Sequence, residues 1–515
     1  MISRTVIMIM AITLIGKLMG ILRDRMLGVY FGTYSPEGIA FIQASLLPRV
    51  FLDIMFASVL SASFIPVFNR YLETKGKEAA FELAASFIKI VFVVVAIFTI
   101  AAVIFAGPLY GALLGDEALG LEVRELGVNL LRIMFPIMLI TSIAFSLTGI
   151  LQSLGQFSIP AAMSVASNGV ILLYYFFFID QFGIYGLAAA FLIGWSMQIF
   201  IQIPYLIKVK FSFTKGSILS STASPALKEI WQLTLPVIVA SWLTPVNLLV
   251  ATRAAAGLYG GEHGVVAINM AHTLYTVITG LFVLSLANVL FPALSKLAAR
   301  ENWSGYAESL RESLRGMLFL LLPMTFGLMA LSRPLVGLVF QGGRFDDTSV
   351  NITATALFFF SLGIVGFGMQ VILSRASFAL QDGRGPLITG VLAMGINFVL
   401  SFTLAPVIEI GGPALASAIA ISVAALGLFI RLARKLPESI WTMDMTISVA
   451  KMLVSSIIMY GIVLSALSFF TGNRILAVIV PAALGAIIYA AGTLTFGVPE
   501  ARMGVQWFRN KLKGV

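Results

Sequence analysis

The sequence contains no cysteine and only two histidines, His263 and His272, and just 11% of its 515 residues are charged. Without cysteine the chain has no disulfide, no thiolate nucleophile and no cysteine-ligated metal site. It also lacks a Walker loop, an HExxH motif, a nucleotide-binding fingerprint, paired catalytic carboxylates and a Ser-His-Asp pattern. These absences predict a protein that is not an enzyme and carries no cofactor.

Apolar residues dominate instead: 59% of the chain is hydrophobic, and the mean hydropathy is +1.00. Soluble domains carry about 25% charged residues, and a membrane-spanning helix needs about 20 mostly apolar residues. Runs such as SFIKIVFVVVAIFTIAAVIFAGPLYGALL (86–114) predict helices, because strands of a membrane β-barrel would alternate over about ten residues. We therefore predict an all-α polytopic membrane protein with about fourteen transmembrane helices.

The predicted spans are long apolar segments separated by short polar loops. They lie near 4–31, 38–70, 84–113, 125–152, 159–180, 184–207, 228–258, 264–296, 314–340, 350–380, 386–407, 412–434, 447–471 and 475–497.

Basic residues concentrate in alternate loops and in the C-terminal tail, as at Arg70, Lys208, Lys296 and Arg434. The intervening loops are short and mostly acidic or neutral. Positive charge marks the cytoplasmic side of a membrane protein, so we expect a multi-pass protein of the cytoplasmic (inner) membrane with both termini in the cytoplasm. The same rule accounts for the net charge of +10, and no nucleic-acid partner is predicted.

The chain repeats itself at an offset of roughly 226 to 229 residues. SFIPVFNRYL (63–72) pairs with VLFPALSKLA (289–298), LQSLGQFSIP (151–160) with LQDGRGP (380–386), and GIYGLAAAFLIG with IGGPALASAIAI. Six spans separate the partners, so the repeats are parallel and share a central cavity. We predict an N-lobe over 1–215, a C-lobe over 216–436, and spans thirteen and fourteen with a basic tail over 437–515.

Charges interrupt the first apolar span, where Lys17, Arg23, Asp24 and Arg25 lie. A charge at a helix centre costs about 2.5–3.5 kcal/mol on insertion scales. Successive residues are about 100° apart on a helix, so the three consecutive charges cannot share one face, whereas Lys17 and Asp24 lie nearly in line. One interpretation is that Asp24 forms a salt bridge inside the protein, while the Arg25 side chain extends to the membrane interface. The other is a helix lining a hydrated basic cavity, where Asp24 orients the arginines.

Two further groups lie at comparable depth in equivalent spans: Arg49 in span two, four residues before Asp53, and His272 in span eight. Arg49 and Asp53 are spaced to pair along a helix. A histidine that packs between helices is the alternative for His272. Taken together, these cationic groups predict an anionic substrate, because arginine binds phosphate through two hydrogen bonds.

Several motifs resemble those of the MurJ (MviN) lipid II flippases, a branch of the MOP/MATE exporter superfamily. GKLMGILRDRMLGVYFG (16–32) resembles the family's first helix, SRASFALQDGRGP (374–386) the segment after its tenth, and LANVLFPALSK (286–296) the end of its eighth. The resemblance implies two six-helix lobes around a cationic cavity. It also implies flipping of undecaprenyl-diphosphate-linked peptidoglycan precursor to the outer leaflet by alternating access, with spans thirteen and fourteen accepting the lipid tail.

Residue by residue, Arg23 and Asp24 match the RD of the family's first helix. The paired arginines of its second helix fall on Leu52 and Asp53, and Arg49, one turn earlier, is the candidate substitute. The arginine of the eighth helix falls on His272. We therefore expect the substrate site to comprise Arg23, Asp24, Arg49, His272, Lys17 and Arg25, with lipid II and the membrane lipids as partners of a functional monomer.

Some family members hold sodium on helices seven and eleven. The candidate ligands here are Asn247, Asn397 and Ser401, and Ser401 stands where a carboxylate is expected. Coupling to the membrane potential, to H⁺ or to Na⁺ is left open.

Other functions remain as alternatives. One is a flippase for another lipid-linked oligosaccharide, which the motifs separate poorly from lipid II. A second is a MATE-like cation or drug antiporter, which would need more carboxylates in the membrane than Asp24 and Asp53. A third is a scaffold without a transport cavity.

Overall fold

The computed structural model describes residues 4–59, 63–114, 120–215, 224–241, 243–259, 263–470 and 472–503. The side chains of 4–7, 49–59, 113–114 and several between 233 and 293 lie outside this description. The chain forms two compact units, Met1–Val266 and Ala267–Val515.

Helices make up nearly all of the described residues, and those ranges contain no β-strand. This confirms the predicted all-α class. In chain order the helices are α1 Arg4–Phe31, α2 Pro36–Val59, α3 Ile65–Thr74, α4 Gly76–Ile104, α5 Ala106–Leu114, α6 Gly120–Met134, α7 Ile137–Ser153, α8 Ser158–Phe177, α9 Ile179–Phe200, α10 Ile203–Lys208, α11 Ser224–Ser241, α12 Leu243–Ala256, α13 Gly264–Ala299, α14 Trp303–Phe340, α15 Asp347–Ser361, α16 Ile364–Ala379, α17 Arg384–Ile408, α18 Gly411–Lys435, α19 Met443–Leu467 and α20 Leu476–Thr495.

Every predicted span coincides with one helix or with two consecutive helices. Spans three, four, six and ten are divided between two helices, whereas spans two and seven each include residues outside the described ranges, 60–62 and 242. The break before α7 falls at Pro136, which has no amide hydrogen to continue a helix. Between α15 and α16 the chain bends by 43° at Leu362 and Gly363. Periodicity and hydropathy locate such segments but do not show these breaks.

Nine helical segments of the described residues are long and apolar enough to cross a membrane, or ten if the bent α15–α16 pair counts as one span. The chain is thus a polytopic membrane protein. The number fourteen stays a prediction.

In the first unit, α1 packs along α8, α8 packs beside α9, and α2 lies against α6 and α7. Helices α11 and α12, which form the predicted seventh span, also pack on α2. The unit boundary at Val266 follows this packing, whereas the predicted boundary after residue 215 follows the internal repeat. The three-part division by repeat stays a prediction.

The contact between α2–α3 and α11 has two polar anchors. The hydroxyls of Ser63 and Thr234 are buried and lie 2.9 Å apart. Arg70 donates through both terminal nitrogens to the two carboxylate oxygens of Glu229. The ion pair is about half exposed, and such surface pairs contribute at most about 1 kcal/mol. The buried hydroxyl pair is therefore the better determinant of how these helices meet.

In the second unit, small residues let α17 and α18 approach closely. A side chain at Gly412 would place its Cβ 2.5 Å from the carbonyl carbon of Leu404, so only glycine fits there. Close approach through small residues is how membrane helices gain packing energy. The last two helices pack on α14, where the Tyr489 hydroxyl donates to the Phe319 carbonyl at 2.8 Å.

Asp382 ties the turn before α17 to the end of α18. Its carboxylate accepts hydrogen bonds from Arg431 Nε at 2.9 Å, Lys435 Nζ at 2.5 Å and the Gly385 amide at 3.1 Å, and its side chain is 5% exposed. The Arg431 guanidinium, helped by Lys435 and Gly385, holds the pKa of Asp382 well below its usual range.

We expect Asp382→Asn to lower the free energy of unfolding by about 1–2 kcal/mol at pH 7, because asparagine keeps the bond to Gly385 but loses the charge. Since the folded pKa lies below the unfolded value of about 3.9, the contribution is present above that value and is lost as the pH falls towards the folded pKa. Thermal unfolding in detergent at pH 7 and at about pH 2.5 measures this, because only the lower value lies clearly below the unfolded pKa.

The control is Glu438→Gln, an exposed carboxylate just beyond the same helix. A native protein and an Asp382→Asn variant that unfold alike at pH 7 would contradict the role of this ion pair.

Candidate functional site

Arg23 of α1 is held by two polar side chains. Its Nε and Nη2 atoms donate to Asp24 Oδ1 at 2.9 and 2.7 Å, and its Nη1 atom donates to Asn168 Oδ1 on α8 at 3.1 Å. The side chains of Arg23 and Asp24 are only 12% and 16% exposed. The costly charge in the first span is thus compensated inside the protein.

The structure explains how neighbours on a helix can pair. The Cα–Cβ bonds of Arg23 and Asp24 point about 100° apart, as the sequence predicts. The long arginine side chain nevertheless carries its guanidinium back to the carboxylate. The salt bridge of Asp24 is therefore made with Arg23 rather than with Lys17, which lies nearly in line with it.

A tight contact between α1 and α8 places Asn168 beside this pair. Asn168 Nδ2 donates to the Gly16 carbonyl and to Ser164 Oγ, both at 3.2 Å. A Cβ at Gly16 would lie 3.0 Å from the Ser164 Cβ, so the absence of a side chain at Gly16 lets the helices come this close.

The ring of Phe191 on α9 completes the surroundings of the guanidinium, whose carbon lies 5.4 Å from the ring centre. This is within the range at which an aromatic face attracts a cation. Arginine has five N–H donors, and Asp24 and Asn168 use three of them in the described structure. Two N–H groups are left over by these two partners.

The other first-span cations, Lys17 and Arg25, are half-buried on α1. Arg49 lies on α2, but its side chain and that of Asp53 fall outside the described residues. Their predicted pairing therefore stays a prediction.

His272 lies on α13 in the second unit and is half-buried among aromatic rings. Its ring centre is 6.1 Å from that of Tyr275 and 5.7 Å from that of Phe360, the latter edge-on. These rings belong to α13 and α15, so His272 takes part in helix packing there. Its role in substrate binding stays a prediction.

The sodium candidates lie in different units: Asn247 on α12, and Asn397 and Ser401 on α17. The Asn397 carbonyl oxygen is buried and accepts hydrogen bonds from Ser401 Oγ and Ser417 Oγ, both at 3.2 Å. Among the described residues, no group of three or more histidine, aspartate or glutamate side chains could hold a metal ion. The amide–hydroxyl group of α17 is explained by helix packing, and a sodium role stays a prediction.

Asn168 and Phe191 were not among the site residues predicted from the sequence. An amide in the apolar stretch VASNGVILLYYFF was the available signal, because a polar side chain in a membrane helix usually has a partner. Its partner Arg23 lies 145 residues away in the chain, and the sequence alone does not show that the two residues meet in the fold.

Two solved structures share this fold. A lipid II flippase MurJ in an inward closed conformation has a TM-score of 0.78, covering 95% of this chain and 98% of that chain at 22% identity. A MATE-family multidrug resistance transporter in an inward-facing conformation has a TM-score of 0.70, covering 83% of this chain and 97% of that chain at 16% identity. The chain shares its fold with these multi-helix membrane transporters.

Sequence comparison narrows this class. The family model described as lipid II flippase MurJ matches residues 28–484. A probable lipid II flippase MurJ of Buchnera aphidicola subsp. Schizaphis graminum is 30% identical over 422 residues, covering 81% of each chain. The chain belongs to the lipid II flippase MurJ family, which confirms the resemblance drawn from its motifs.

We expect Arg23→Ala to reduce transport by up to about 100-fold while leaving a folded protein, because a hydrogen bond from a charged group to an anion contributes up to about 3 kcal/mol. Asp24→Ala should do similar harm, since the guanidinium would lose two of its three bonds. Complementation of cells depleted of their own lipid II flippase, with membrane protein levels measured in parallel, tests this.

Leu22→Ala is the matched control, because Leu22 is an exposed apolar neighbour on the same helix. Full complementation by a normally expressed Arg23→Ala variant would contradict a role for Arg23.

Proposed function

We propose that this chain moves lipid II, the undecaprenyl-diphosphate-linked precursor of peptidoglycan, from the inner to the outer leaflet of the cytoplasmic membrane by alternating access. The observation that carries the proposal is the family match over residues 28–484. The chain then serves cell-wall synthesis and cell shape as a transporter, without covalent chemistry of its own.

Recognition of the diphosphate begins at Arg23. Its two remaining N–H donors can form charge-assisted hydrogen bonds with phosphate oxygens, which are about twice as strong as neutral ones. Because Asp24 neutralises part of its charge, Arg23 alone cannot neutralise the two negative charges of the diphosphate. Lys17, Arg25, Arg49 and His272 are the proposed additional cations of the site.

Alternating access requires that contacts closing one side break when that side opens. The Ser63–Thr234 and Arg70–Glu229 pairs join the ends of predicted spans two and seven, which the internal repeat assigns to different lobes. Positive loop charge supports a cytoplasmic location for these ends and for both termini. We infer that these pairs hold the cytoplasmic side closed in a protein that works as a monomer.

The driving force proposed is the membrane potential. Moving each negative charge outward across an inside-negative membrane releases roughly 2.3 kcal/mol per 100 mV, and a diphosphate carries about two. A proton on His272 is the second possible coupling ion, since histidine changes its charge between about pH 5 and 8. Sodium at Asn247, Asn397 and Ser401 is the third.

Reconstituted protein in liposomes should translocate lipid II, as measured by its accessibility to a membrane-impermeant probe. The native chain has no cysteine, so Ser63→Cys/Thr234→Cys introduces the only pair that can form a disulfide. Oxidation of this variant should stop translocation, and reduction should restore it, because the two helix ends could no longer separate.

Each single-cysteine variant is the control for oxidation itself. Translocation of a different undecaprenyl-diphosphate-linked saccharide, with none of lipid II, would overturn the proposed substrate. Transport that continues through the oxidised pair would overturn the proposed closure.

Coupling is tested in the same liposomes by changing one gradient at a time. We expect an inside-negative potential to accelerate export. If His272 carries the proton, the native rate should fall from about pH 5.5 to 8, while His272→Arg should stay level because arginine keeps its charge. A flat native pH profile identical to that of His272→Arg would exclude the proton as the coupling ion. A transport rate that rises with a sodium gradient and falls with Ser401→Ala would indicate coupling to sodium.

A further inference from the structure

We propose that Asn168 is a positioning residue of the anion site, which fixes the Arg23 guanidinium so that its remaining N–H groups face the substrate diphosphate. The proposal rests on the proposed function, because the ligand is the diphosphate of the transported lipid. Asn168 itself is not proposed to touch that ligand.

The orientation of the Asn168 amide follows from its partners. The Gly16 carbonyl can only accept a hydrogen bond, so the NH₂ group of Asn168 must face it. The carbonyl oxygen then faces Arg23, whose guanidinium can only donate. Both ends of the amide are thus specified, and the side chain is 4% exposed.

The contribution of Asn168 differs from that of Asp24. Asp24 holds the Nε and Nη2 edge of the guanidinium, while Asn168 holds Nη1 from another helix. Contacts on two sides of a planar group stop its rotation about the Cδ–Nε bond. Without Asn168, the hydrogen bonds described for the guanidinium would all go to one carboxylate oxygen of Asp24.

A neutral acceptor suits this position. A second carboxylate would give the guanidinium two negative neighbours and weaken its attraction for a diphosphate. An amide supplies the hydrogen bond without the charge. The arrangement fixes the cation while leaving its charge compensated only by Asp24.

The experiment measures the Kd of detergent-solubilised protein for lipid II and for inorganic pyrophosphate, with thermal unfolding as a check of folding. Asn168→Leu keeps the branched shape of the side chain without its polar atoms, and Asn168→Ser is too short to reach Arg23. We expect both to raise the Kd about tenfold, the effect of one hydrogen bond to a charged group. The same Asn168→Leu change in an Arg23→Ala background should add less than twofold.

Ser167→Ala is the matched control, because Ser167 is the buried neighbour of Asn168 and its hydroxyl bonds only carbonyls of its own helix. It should change the Kd by less than twofold. The proposal is overturned if Asn168→Leu leaves the Kd unchanged, if Ser167→Ala weakens binding equally, or if Asn168→Leu still costs tenfold without Arg23. It is also overturned if both Asn168 variants unfold, since the residue would then be structural.

The two proposals can fail separately. Native protein that binds lipid II with no dependence on Asn168 overturns this inference and keeps the proposed function. Native protein that binds pyrophosphate but not lipid II overturns the proposed substrate, and the pyrophosphate constants of the same variants then decide the role of Asn168. Binding of neither ligand overturns both.

Discussion

The ion pair of Arg23 and Asp24, together with its bond to Asn168, is the interaction on which the candidate site depends. A lone arginine in the middle of an apolar helix costs several kcal/mol, because the bilayer offers no hydrogen-bond partner. Here the compensating groups come from the next residue and from α8. The requirement to satisfy one charge therefore fixes how α1 and α8 pack, and that packing in turn fixes the position of the charge.

The same constraint governs the other polar side chains of the membrane helices. Many serines and threonines donate to the backbone carbonyl four residues earlier, as Thr148 does to Ala144 and Ser361 to Leu357. Such bonds need no second helix. Asn168 and Asn397 cannot satisfy their amides in this way, and both use groups on another helix. These two amides thus join one helix to another, as the hydroxyls of Thr148 and Ser361 do not.

The sequence predicts the helices better than it predicts their partners. The predicted spans at 386–407 and 412–434 agree closely with α17 and α18, because an uninterrupted apolar run has a length that the membrane fixes. Arg23 was found for the same reason, since a charge stands out in such a run. The hydrogen bond from Arg23 to Asn168 was not predicted, because hydropathy carries no information on which distant side chain faces Arg23. Likewise, the angle of about 100° between successive residues correctly places Arg23 and Asp24 on different faces of the helix. It does not show that the long arginine side chain can still reach the carboxylate.

A flippase must release what it binds, and this limits how strongly its site can be built. An arginine with every N–H free would bind a diphosphate tightly. It could then release the diphosphate readily only if another conformation weakened that binding. In this structure Asp24 already occupies two donors and offsets the charge, so binding by Arg23 alone is moderate. Tight capture then needs the further cations proposed on other helices, Arg49 and His272. Loss of contact with those proposed cations would then release the lipid without any change at Arg23.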